Sequence, residues 1–298
     1  MLCALLKQKI RFISVVVLVF SATAKNSFAI SMPSLTNLDT TMLKNVTHTF
    51  AAATFFKPVE PASNFGVAAL SSSKKQGGKR LGLSLGVEVG EVSALKIKDY
   101  YSGNVGILPS AMAVAVLGLP LFGFGVEFGM LPPRTFGKFS FEQYGGNVKW
   151  TFTDLMWTKE RPFHLALRAG YTVTQLGFSQ TMSTTIGTPL VSASGTTTVG
   201  VGFKSQVTTA SLSFSKEFGL VEPYCGVGYF SQSSSVTANG SVSIFSQSLS
   251  TSNTVTVQSA HLHFFVGFQM QLLLPTLSME YLDVGGINGY ALKFSLRY

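Results

Sequence analysis

Charge is the first thing this sequence has little of. Asp, Glu, Lys and Arg make up 12% of 298 residues, about half the ~25% usual in a soluble domain. So few charges leave a water-soluble fold of this size with too little to cover its surface. Cysteine is nearly absent: Cys3 and Cys225 are the only two. Cys3 lies in an N-terminal stretch with the marks of a signal peptide, which leaves Cys225 alone and excludes an intramolecular disulfide in the mature chain. Only four histidines are present, and no Ser stands in a nucleophile-elbow setting, so the sequence offers no enzyme motif. A long, clean apolar helix is missing as well. The stretch without charge between Asp99 and Glu127 contains Pro109, Pro120, Gly118, Gly123 and Gly125, which break or weaken a helix.

What is present is apolar and aromatic. Hydrophobic residues reach 46%, with 25 Phe, 29 Gly and a mean hydropathy of +0.34. The N-terminus has a basic region of Lys7, Lys9 and Arg11, an apolar core over Phe12 to Phe20, and small residues at Ala22-Thr23-Ala24. This reads as a signal peptide over residues 1–24, with cleavage after Ala29 as the alternative. Its loss takes three positive charges from the formal net of +9 and leaves +6. The remaining excess suits anionic lipid headgroups and is too scattered for nucleic acid.

Downstream, large apolar residues recur at every second position. In Leu81–Val89 the odd positions are Leu or Val, and Gly82, Ser84, Gly86 and Glu88 lie between them. Phe122, Phe124, Val126, Phe128 and Met130 alternate with Gly123, Gly125, Glu127 and Gly129. The same rhythm runs through Ala111–Leu117, Tyr144–Phe152, Phe163–Val173, Thr208–Phe218, Val221–Phe230, Val257–Met270, Thr276–Asp283 and Tyr290–Tyr298. A period of two places successive side chains on opposite faces of a strand, so about ten strands are expected, within a range of eight to twelve.

Six charges within these runs fall on the face of small residues: Glu88, Glu127, Lys149, Arg168, Glu280 and Lys293. With His164 they are the candidates to line a lumen, because the opposite face would meet lipid. Ser179–Val207 and Ser231–Thr256 read as long, charge-poor external loops, partly strand-like at Val199, Val201 and Phe203. The connections near Gly219–Pro223 and Leu274–Pro275 are short. Pro132-Pro133-Arg134 reads as a further external loop. Long loops at one end and short turns at the other fit a transmembrane barrel.

The last residues, Tyr290, Leu292, Phe294, Leu296 and Tyr298, alternate apolar and end on an aromatic. This ending resembles the terminal strand of bacterial outer-membrane β-barrels, of the small porin-like group. The resemblance covers 81–298 as an architecture and brings no functional residue with it. It implies an antiparallel barrel in a Gram-negative outer membrane, exported by the Sec pathway. The implied partners are the barrel-assembly machinery, which reads the ending, and outer-membrane lipids and lipopolysaccharide; the expected state is a monomer.

Residues 25–80 resist the alternating pattern. Leu35, Leu38, Met42, Val46 and Phe50 recur at helical spacing, which predicts a periplasmic or lumen-plugging helix; a strand pair near Phe65–Leu70 is the alternative. Lys74-Lys75 with Lys79-Arg80 reads as a solvated turn. His261 and His263, at i and i+2 on one strand face, are weak metal candidates, read first as polar lumen residues. No cofactor is expected. The leading function is a narrow pore or transporter for small or hydrophobic solutes, and the alternative is a closed barrel that contacts partners through its long loops.

Overall fold

The computed structural model describes residues 40–57, 59–63, 82–93, 107–119, 123–153, 163–188, 191–244, 247–272 and 275–297. The signal-peptide reading, the alternative strand pair near Phe65–Leu70, the basic cluster at 74–80, and Tyr298 lie outside them. The chain has one helix among these residues, α1 (Thr40–Thr54), followed by ten strands: β1 (Gly82–Ser93), β2 (Ile107–Gly118), β3 (Phe124–Phe136), β4 (Phe139–Thr151), β5 (His164–Thr188), β6 (Val191–Ser215), β7 (Val221–Ile244), β8 (Gln247–Gln271), β9 (Pro275–Val284) and β10 (Ile287–Arg297). Each strand pairs antiparallel with its neighbours in sequence, and β1 closes on β10. Closure leaves the membrane-spanning part without a sheet edge.

The closing seam shows why the ring forms with this polarity. Leu85 stands opposite Leu296, Val87 opposite Phe294 and Val89 opposite Leu292. All six are exposed on the outer wall. In the same ladder Glu88 pairs with Lys293 in register, and both are buried inside. A slip of one residue would turn every Leu and Phe inward and both charges into lipid. Around the ring the inversion repeats: Phe128, Leu167, Leu212, Leu262, Phe264 and Phe294 are exposed, while Glu127, Lys149, Thr172, Ser213 and Gln269 are buried. A soluble protein has the opposite arrangement. Tyr144, Tyr171, Tyr229 and Tyr290 are also exposed outside, suited to the aromatic girdle that marks a bilayer interface.

The structure changes the expected connections. Ser179–Val207 and Ser231–Thr256 are not loops: β5, β6, β7 and β8 run through them as strands of 25, 25, 24 and 25 residues. A membrane crossing uses only about 9–11 tilted residues, so these hairpins project well beyond the apolar belt. Pro132-Pro133-Arg134 is likewise part of β3, at an irregularity in its pairing with β4 between Leu131 and Arg134. Proline is tolerated there because a bulge releases its position from the ladder. The actual turn is at Gly137, whose φ of 63° favours glycine. The two strands read into the uncharged stretch from Asp99 are present, with Leu119 N–H donating to Phe124 O at 2.8 Å at their connection. No helix among the described residues is long and apolar enough to cross a membrane.

Candidate functional site in the barrel lumen

Segment 40–63 lies inside the barrel and hydrogen-bonds to β4, β5, β7, β9 and β10. Helix α1 carries threonines that a packed interior would penalise, and it satisfies several on its own backbone: Thr49 Oγ1 donates to Asn45 O at 2.8 Å and Thr54 Oγ1 to Phe50 O at 2.8 Å. Such bonds back to the preceding turn let hydroxyls be buried at little cost. The helix ends where Phe55 N–H donates to Ala51 O and Pro58 follows shortly after.

Its upper part meets an aromatic cluster. The His48 ring stacks on His261 with centroids 3.9 Å apart; its Nδ1 is 3.3 Å from Gln232 Oε1 and its Nε2 3.2 Å from Val284 O. His263 lies instead between Phe55, at 6.3 Å, and Phe265, at 5.9 Å. The two strand histidines therefore enter different ring contacts. Among the described residues neither belongs to a group of three metal-ligating side chains.

Lower down, Phe56 packs on Met112, Val114 and Val116. These β2 residues face inward, leaving Ala111 and Ala113 exposed outside, so this strand reverses the large-outside pattern. Gly129 and Gly145 pair across β3 and β4 and continue the same wall beside β2, where Gly129 stands opposite Val114 in register. A Cβ at Gly129 would come within 2.6 Å of the Phe56 ring, and one at Gly145 within 2.8 Å of Phe56 Cβ. Phe56 N–H donates to Thr172 Oγ1 at 2.9 Å.

At Val59 the chain turns through φ 40°, a conformation that costs a β-branched residue roughly 1–3 kcal/mol. Glu60 follows. Its Oε2 lies 3.5 Å from Lys149 Nζ of β4, and its Oε1 accepts from Lys293 Nζ of β10. Its backbone carbonyl accepts from Arg168 Nη2 at 3.4 Å. Lys149 Nζ also donates to Ser63 O at 3.0 Å, and Thr151 Oγ1 to Ala62 O at 2.7 Å. Glu127 completes the network: Arg168 Nη2 is 3.2 Å from its Oε1, and Asn147 Nδ2 donates to its Oε2 at 3.2 Å. Thus the plug's Glu60 carboxylate and the backbone carbonyls of Glu60, Pro61 and Ser63 help compensate buried wall cations.

All seven sequence candidates, Glu88, Glu127, Lys149, His164, Arg168, Glu280 and Lys293, are buried in the barrel. Lys149, Arg168, Glu127 and Lys293 converge on Glu60, whereas His164 is at the short-turn rim, 3.6 Å from Glu217. Glu88 and Glu280 act electrostatically on Lys57, whose Nζ lies 5.4 Å from the Phe55 ring centroid. Sequence reasoning missed Glu60, Lys57 and Phe56. The signal that could have found the two charges is their place beside prolines in an otherwise apolar segment; Phe56 carries no such mark.

Closed pairing, an apolar exterior and a polar, plugged interior define an integral outer-membrane β-barrel. The chain belongs to the family described as "Family of unknown function (DUF6588)", whose model matches residues 6–288. No curated protein matches it in sequence. Among solved structures it is similar to the outer membrane protease OmpT from Escherichia coli, at 10% identity and a TM-score of 0.36, over 73% of this chain and 96% of that one. It is also similar to the attachment invasion locus protein Ail of Yersinia pestis (12%, 0.28, 73% and 97%) and to a Pseudomonas aeruginosa FadL homologue (9%, 0.27, 84% and 97%). Values this low carry no site residue or activity across to this chain.

Proposed function

We propose that the protein is a gated pore for small solutes, closed at rest by segment 40–63 and opened when that segment leaves the lumen. The observation that carries this reading is the chemistry of the contact between plug and wall. The wall meets the lower plug with Lys149, Arg168, Gln143, Thr151 and Thr172, groups that water can solvate once the plug withdraws. A core built only for stability would be apolar there, because replacing buried ion pairs with well-packed hydrophobic residues is often neutral or stabilising. A barrel of this strand number is wider than the eight-stranded kind that side chains fill unaided, and here a helix about 10 Å across occupies the difference. In this reading the short-turn rim faces the periplasm and the long hairpins project outside the cell, after export by the Sec pathway.

A second reading rests on the β5–β8 projection. β4 pairs with β5 only as far as Phe139 opposite Phe178, and β9 meets β8 only from His263 opposite Val284. Beyond those points, among the described residues, both outer strands of the four present open edges, such as a partner strand adds to. A closed surface-interaction barrel would use them.

Single-channel conductance in planar bilayers separates the two. The purified mature protein is compared with a chain lacking residues before Arg80. Conductance that is brief in the first and steady in the second supports a gated pore. Silence from both, in protein whose heat-modifiable migration shows a folded barrel, refutes it and leaves the surface role.

A further inference from the structure

At the short-turn rim three side chains that the pore reading does not use come together. His164 opens β5, Glu217 follows β6, and Glu222 is the second residue of β7. One ligand atom from each lies within 4.8 Å of the other two. The turn carrying both glutamates is fixed by paired backbone bonds, Phe218 N–H to Val221 O at 2.8 Å and Val221 N–H to Phe218 O at 3.2 Å. Glu222 is 7% exposed. Its Oε1 accepts from Ser215 Oγ at 2.6 Å and its Oε2 from Ser63 Oγ at 2.8 Å. Neither hydroxyl brings a compensating charge. The nearby Lys216 ammonium is turned to the Phe218 ring, 5.2 Å from its centroid. Two carboxylates therefore share one small space with an imidazole, the lower one buried.

We infer that His164, Glu217 and Glu222 form a divalent transition-metal site of the zinc type. One imidazole nitrogen and two carboxylate oxygens supply three protein ligands and leave a position for water, and two negative charges balance the ion. Ligands about 2.1 Å from a common ion lie at most ~4.2 Å apart, so atoms already within 4.8 Å of one another need at most a small adjustment. Glu217 can adjust, because its side chain is 45% exposed; the same exposure gives the ion an entry path. Ser63, the last described residue of the plug segment, bonds to Glu222. The ion would thus tie β5 and the β6–β7 turn to the foot of the plug, whether or not the lumen conducts.

The test is zinc binding to the folded mature protein in detergent, by calorimetry and by the visible absorption of Co²⁺ in the same site. The expected result is one ion per chain, a higher midpoint for heat-induced migration shift in zinc, and affinity reduced by roughly tenfold or more in Glu217→Gln. His164→Gln is expected to behave alike, and His261→Gln to bind as the unaltered protein does. Glu217 is exposed, so its variant folds and decides the matter if His164→Gln does not. Absence of saturable binding, or equal binding by Glu217→Gln, overturns the site; loss in His261→Gln instead moves the ion to the helix cluster and overturns it too.

Discussion

Replacing Glu60 with Gln isolates the ion pairs that hold the plug. The carboxylate meets Lys149 and Lys293, which belong to strands on different parts of the ring, and all three side chains are at most 2% exposed. Gln keeps the shape and an acceptor but removes the charge, leaving two buried ammonium groups facing a neutral amide. Breaking a buried pair by removing one partner costs about 3–5 kcal/mol. The retained acceptor places this variant near the lower end, about 3 kcal/mol, and that is roughly a hundredfold at 1.4 kcal/mol per decade. The undocked population should rise by that factor. Chymotrypsin cleavage at Phe55 and Phe56, both buried while the plug is docked, should accelerate correspondingly under conditions where docking is faster than cleavage. Conductance events should become more frequent in the same proportion. The double variant Glu60→Gln with Lys293→Gln should recover part of the closure, because one uncompensated ammonium is gone. A Glu60→Gln protein as protease-resistant and as quiet as the parent would refute the argument, and with it the view that these ion pairs hold the gate.

Three further outcomes follow from the same structure. Gly129→Val should displace Phe56 from its cradle at about 1–3 kcal/mol of overpacking, and Phe56→Ala should weaken docking by about 3–5 kcal/mol; both read out as faster chymotrypsin cleavage with the barrel still folded. Val87→Arg should lower barrel stability in urea refolding by about 2–4 kcal/mol, since Val87 is in the apolar belt opposite Phe294. Thr254→Arg, exposed on the projecting β8, should change it by less than about 0.5 kcal/mol, and equal effects at the two sites would contradict the membrane placement. Cys225 is exposed and stands between Phe214 and Val266 in register, so a charged maleimide should label it in urea but not in lipid vesicles; rapid labelling in vesicles would put this wall in water.

Much of the barrel is legible in the sequence because a strand's side-chain period is short and local. Leu83, Leu85, Val87 and Val89 read as one face within a single segment, as do Tyr290, Leu292, Phe294 and Leu296. The charges between them mark the other face, since lipid penalises charge everywhere along the wall. The same rule reads β2 poorly. Met112, Val114 and Val116 alternate with alanines, and nothing local says that the larger set turns inward to meet Phe56. It also misses the length of β5–β8, because Ser and Thr outside the membrane are compatible with loop and strand alike, and the cross-strand pairing of β5 with β6, β6 with β7 and β7 with β8 keeps them extended.

The sequence by itself determined the strand-built wall and its polarity, both of which follow from residue type and spacing over a few positions. Only the tertiary structure decided what fills the barrel. Glu60 and Lys293 meet across 233 positions, and Phe56 finds glycines on two different strands. Such contacts depend on closure of the ring, which brings distant segments to a common axis and leaves no trace in the local pattern of any one of them.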